Sequence, residues 1–112
     1  LRPEAYDEVV GMAHENPQSA ASQMWTCIDV RDVARACRMA TEQDGLDCEA
    51  FFITSPQTYM ETPTRELMAK YYPDTEDRYE GDDPYFSPFE NAKTRKVLGW
   101  EPLNHWRDNF QQ

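Results

Sequence analysis

The run from residue 25 to 37 constrains the fold most, because an apolar, β-prone segment passes through an acidic turn straight into an amphipathic helix. Such a run is half of a βα unit. Residues 25–28 are expected to form a short strand, and the helix after it to bury Val30, Val33, Cys37 and Ala40. Asp29 is placed to cap that helix and Asp32 lies in its first turn, where exposed amides and the helix dipole favour carboxylates. Both acids therefore read as structural rather than catalytic. Asp44 and Gly45 end the helix, and residues 49–54, rich in aromatic and β-branched side chains, predict a buried strand parallel to the first.

Around this unit the pattern is helical. Tyr6, Val9, Val10 and Ala13 recur at helical spacing behind Pro3 and an acidic first turn, predicting a helix to about His14 and a loop over residues 16–22. Thr62 is expected to cap a helix with Pro63 at its first position and Leu67, Met68 and Tyr71 on its apolar side. Ser87, Pro88 and Glu90 spell a capping box, opening a helix that gathers Lys93, Arg95 and Lys96 and stops at Gly99. A last turn surrounds Trp106.

The chain of 112 residues, 39% apolar, suffices for one domain and one core. It has no apolar run near the roughly 18 residues of a membrane span, so a cytoplasmic protein is expected. Leu1 in place of a methionine reads as the cut end of something longer, or as trimming on expression. Cys27, Cys37 and Cys48 are odd in number and lack C-x-x-C spacing, and with Cys27 and Cys37 falling in the apolar pattern they read as small core residues in a reducing compartment rather than as a disulfide framework. A net charge of -10, from 21 acidic and 11 basic residues, repels a phosphate backbone and argues against nucleic-acid binding. The acidic, lysine-poor surface suits either a high-salt cytoplasm or simple solubility.

Six acids between residues 74 and 83 surround Arg78. They fail as a calcium loop, since placing Gly81 sixth puts Arg78 third and Ser87 twelfth. His14 and His105 lack a second ligand at zinc spacing, and neither G-x-S-x-G nor clustered glycines occur.

Four pieces nonetheless fall in a familiar order: Leu1-Arg2-Pro3, the acidic turn and helix at 29–34 with the strand at 51–54, the helix at 63–68, and the closing Leu98-Gly99-Trp100-Glu101-Pro102. In that order they resemble the carboxyl-terminal, substrate-side portion of extended short-chain dehydrogenases/reductases, the NAD-dependent epimerase/dehydratase family. The resemblance implies an α+β fold: a small two- to three-stranded, partly parallel sheet with four to five helices, residues 1–112 forming one substrate-binding lobe of an extended Rossmann-type enzyme.

It also implies an upstream Rossmann domain binding NAD or NADP, a small-molecule substrate, often a nucleotide sugar, and self-association of a lobe whose former interface is exposed. The family's catalytic tyrosine has a lysine four residues on; here Tyr6, Tyr59, Tyr71, Tyr72, Tyr79 and Tyr85 are followed at that distance by Val10, Pro63, Thr75, Glu76, Asp83 and Phe89. The chain alone is therefore expected to be inactive and to bind neither dinucleotide. Arg78 falls near a place where relatives hold substrate phosphate, and otherwise offsets its acidic neighbours. Tyr59, Met60 and Tyr85 either line the substrate cleft or pack as core. The competing expectation is a stand-alone acidic protein-interaction module that meets a basic partner.

Overall fold

The computed structural model describes residues 1–110, whose regular secondary structure is entirely helical. Five α-helices form: α1 (Tyr6–Glu15), α2 (Val30–Glu42), α3 (Thr64–Tyr71), α4 (Ala92–Leu98) and α5 (Trp106–Asn109). Two 3-10 turns, Pro3–Ala5 and Pro17–Gln23, flank α1. None of these helices is long and apolar enough to cross a membrane.

The expected α+β lobe does not form, because no strand or sheet exists among the described residues. Gln57 and Phe86 make a single isolated antiparallel bridge. Residues 26–29 and 51–54 are irregular, and they meet neighbouring chain only through scattered bonds. Ser55 N donates to Cys27 O at 3.0 Å, and Leu1 exchanges bonds with Ile28 O at 2.5 Å and Val30 N at 2.7 Å. The physical reason lies at the other edge of the 50–54 segment, where α4 supplies side chains in place of a strand. Lys93 Nζ, Thr94 Oγ1 and Asn91 Nδ2 donate to the carbonyls of Ala50, Phe52 and Thr54 at 2.9, 2.7 and 2.8 Å. Parallel sheets also need cover on both faces, and Phe52 stands 60% exposed.

Trp25, expected to open the first strand, instead sits with Met24 in the left-handed region, at φ 57 and 52. Two such residues in succession are strained, about 1 to 2 kcal/mol each. Burial of the indole and its bond to Pro17 O at 2.8 Å offset that cost. The main core forms here, as Trp25 meets Tyr6 and Val10 of α1, Tyr59 and Met60, Leu67 of α3 and Trp106. A second cluster joins Ala36 of α2 to Leu98 and Trp100.

The helices also depart from expectation in detail. Asp29 caps α2 as expected, accepting from Arg31 N at 2.8 Å. The buried face of α2, however, carries Asp32 and Ala36, while Val30 and Cys37 are exposed. Asp32 sets that rotation: its carboxylate accepts from Leu103 N at 2.9 Å and Asn104 N at 3.1 Å, and its carbonyl from Trp100 Nε1 at 2.9 Å. Cys37 is thus a surface thiol rather than a core residue; Cys48, beyond the helix, is also exposed, and only Cys27 is half-buried. Thr62 does not cap α3, which has Pro63 at its N-cap because Thr64 turns back to bond Pro84 O and Phe86 O. Likewise α4 starts at Ala92, since Ser87 N is taken by Pro56 O and Glu90 reaches forward to Ala92 N. Gly99 closes α4 at φ 69, as its position predicts.

Candidate functional site

The segment after α3 folds back over that helix, and between them lies a cavity of about 840 Å³. Arg65, Met68 and Tyr72 line one side, and Glu76, Arg78, Tyr79, Gly81 and Phe86 the other. Arg65 organises the wall. Its Nε donates to Asp77 at 2.5 Å, another nitrogen donates to Tyr79 O at 2.9 Å, and its guanidinium lies 5.6 Å from the Tyr79 and Phe86 ring centres. Those rings stack at 3.8 Å and 14°. Arg65, and then the Tyr79 amide, hold the Asp77 carboxyl below its usual range. Gly81 lets the Tyr79 ring lie close, because a β-carbon at that position would push the hydroxyl end of that ring aside.

A smaller cleft of about 410 Å³ opens beside Phe52, with Leu1, Val9, Cys27, Ile28, Ile53, Tyr59 and Phe89 around it. It has no charged side chain in its lining, on a chain of net charge -10. Burial pushes the Cys27 thiol up to about 12, so it is a protonated, unreactive group at neutral pH. Burial likewise raises the Tyr59 phenol to about 12.

The four residues singled out in the sequence are not brought together. Arg78 stands at the mouth of the larger cavity, 83% exposed and bonded to Glu76 at 2.9 Å. Tyr59 borders the smaller cleft. Met60 is buried in the main core, and Tyr85 is half-buried under the Arg107 guanidinium at 5.4 Å. Sequence reasoning missed Arg65, Tyr79 and Phe86. Nothing local marks them, since 14 and 21 residues separate Arg65 from the rings it organises.

The remaining chemistry-bearing groups hold the fold. The buried Asp29 carboxylate takes two bonds from the Arg31 side chain, at 2.9 and 2.7 Å, and one from Tyr6 at 2.6 Å. Arg31 is the main cause of its descent to about 2, with burial opposing. Tyr6 moves the other way, raised by burial and then by Asp29, so its proton is held rather than lent. His14 Nε2 donates to Tyr59 O at 2.7 Å. Among the described residues no group of three His, Cys, Asp or Glu could hold a metal ion. Gly11, Gly45, Gly81 and Gly99 are too far apart in the chain to form a dinucleotide's glycine loop.

The chain matches no protein-family model, no curated protein and no solved structure.

Proposed function

We propose that this chain is the substrate-binding portion of an NAD(P)-dependent epimerase/dehydratase-like oxidoreductase and is inactive without a nucleotide-binding partner domain. The observation that carries the reading is the larger cavity, whose aromatic wall is held open by Arg65 and whose mouth carries the exposed Arg78. A guanidinium in that setting suits the phosphate of a small sugar-like substrate, while Tyr79 and Phe86 offer ring faces. The largely apolar cleft beside Phe52 supports the partner: a domain docking there buries apolar surface.

Isothermal titration tests this directly. Neither NAD nor NADP should bind the chain with stoichiometric heat, whereas inorganic pyrophosphate should bind weakly and several-fold more weakly to Arg78→Ala. Tight NAD binding by these 112 residues would overturn the reading. One observation favours the acidic interaction module instead: five of the six acids between residues 74 and 83 are exposed. Strongly salt-sensitive binding to a basic protein, with no response to pyrophosphate, would select it.

A further inference from the structure

The C-terminal turn is tied to the wall of the larger cavity by a file of side chains. Arg107 N donates to His105 Nδ1 at 3.2 Å, so that nitrogen carries no proton and the ring proton sits on Nε2. Nε2 then donates to Gln57 Oε1 at 3.0 Å, and Gln57 Nε2 donates to Asp83 Oδ2 at 2.8 Å. Asp83 accepts from Tyr85 N at 2.9 Å, and its own amide donates to the Tyr79 hydroxyl at 3.2 Å. Each link fixes the next, because the Gln57 amide has only one orientation that serves both His105 and Asp83. At one end His105 caps α5, which carries the buried Trp106. At the other, Tyr79 stacks on Phe86 in the cavity wall.

We infer that His105 is a proton-operated latch that couples the C-terminal turn α5 to the Tyr79 and Phe86 wall of the cavity. Neutral, the imidazole accepts from Arg107 N and donates to Gln57. Protonated, Nδ1 becomes a donor facing another donor, and the cap is lost. The ring satisfies the new N–H by turning to a carboxylate, and that turn draws Nε2 away from Gln57. The file then parts between His105 and Gln57, so the Gln57 amide is no longer fixed in orientation and its hold on Asp83, and through it on Tyr79, loosens.

The groups around the imidazole come from both packed segments. Arg107 and Asp108 lie on α5, and Asp83 faces it from the cavity segment. Glu61 engages Arg107 at 3.9 Å, and the Trp106 ring stacks on the imidazole at 6.1 Å. Burial is the largest influence and, with Arg107, disfavours the proton; Asp108 and Asp83 favour it, leaving His105 below its ordinary 6.5. The latch therefore opens in mildly acidic solution. This inference rests on the hydrogen-bond file and the groups around the imidazole, and stands whether or not the cavity binds a sugar.

Amide NMR of the whole chain between about pH 8 and pH 5 tests it. The His105 ring, the Arg107, Asp83 and Tyr79 amides and the Gln57 side-chain amide should shift together, with one midpoint below 6.5. In His105→Asn, whose side-chain oxygen caps a helix at every pH, the shared movement should vanish. In Asp83→Asn the shifts of Arg107 and the Gln57 amide should persist with the His105 midpoint moved further down. The wild-type titration needs no variant to fold. His105 titrating with no response at Tyr79 and Asp83, or those amides titrating unchanged in His105→Asn, overturns the latch.

Discussion

At the scale of single residues, two buried aspartates do most to fix the chain. Asp32 accepts from Leu103 N, Asn104 N, Asn104 Nδ2 and Arg35, and so pins α2 to the segment before α5. Asp32→Ala strands those donors and should cost about 3 kcal/mol in urea unfolding. Asp29 makes a pH-dependent contribution. Its folded pKa is depressed from 3.8 to about 2, so its stabilisation is present above 3.8 and is lost as pH falls to about 2. That shift is worth about 2 kcal/mol, and the acid limb of the stability curve should flatten in Asp29→Asn. His105 is depressed too, so its contribution falls away as pH drops below 6.5, in an earlier and separate step. The capping role of Asp29 is local and legible in the sequence, because its partner Arg31 is two residues away. The partners of Asp32 lie 71 and 72 residues further on, which no local pattern reports.

At the scale of elements, α4 decides why residues 50–54 are not a strand. Carbonyls at Ala50, Phe52 and Thr54 are answered by side chains of Lys93, Thr94 and Asn91, so the edge is blunted without a neighbouring strand. Thr94→Val keeps the shape and removes the hydroxyl donor to Phe52 O; thermal or urea unfolding should show a loss of about 1 kcal/mol. At Gly99 the left-handed φ of 69 makes Gly99→Ala destabilising, by about 1 kcal/mol, although no atom lies within 4 Å of the added methyl group. The Gly99 stop was readable from sequence because it depends on one residue's own backbone. The start of α4 was not, since the capping box at Ser87 is undone by a bond from Ser87 N to Pro56 O, 31 residues away. The rotation of α2 is a similar case: its apolar residues describe one face, and the buried Asp32 turns a neighbouring face inward.

At the scale of the whole molecule, net charge and exposed apolar surface act in opposite directions. A charge of -10 on 112 residues repels itself, so added salt should raise the melting temperature as the Debye length contracts toward about 3 Å near 1 M. The same salt should promote association through the apolar cleft beside Phe52. Sedimentation velocity is expected to show concentration-dependent self-association that Phe52→Asp, at a site 60% exposed, reduces without lowering stability by more than about 0.5 kcal/mol. An unchanged sedimentation profile in that variant would remove the cleft from consideration as an interface.

Local pattern in the chain was enough to place helices over residues 6–15, 30–42 and 64–71 to within a few residues, the cap at Asp29 and the stop at Gly99, and to show that it has no glycine-rich nucleotide loop or zinc spacing. These depend on contacts within one or two helical turns. Long-range packing, by contrast, keeps the apolar runs at 25–28 and 51–54 out of any sheet, sets Arg65, Tyr79 and Phe86 in one cavity wall, and links His105 through Gln57 to Asp83. A strand is a property of pairing, not of its own residues. Here the pairing partners of one extended run are the side chains of α4, and of the other a left-handed turn and scattered single bonds.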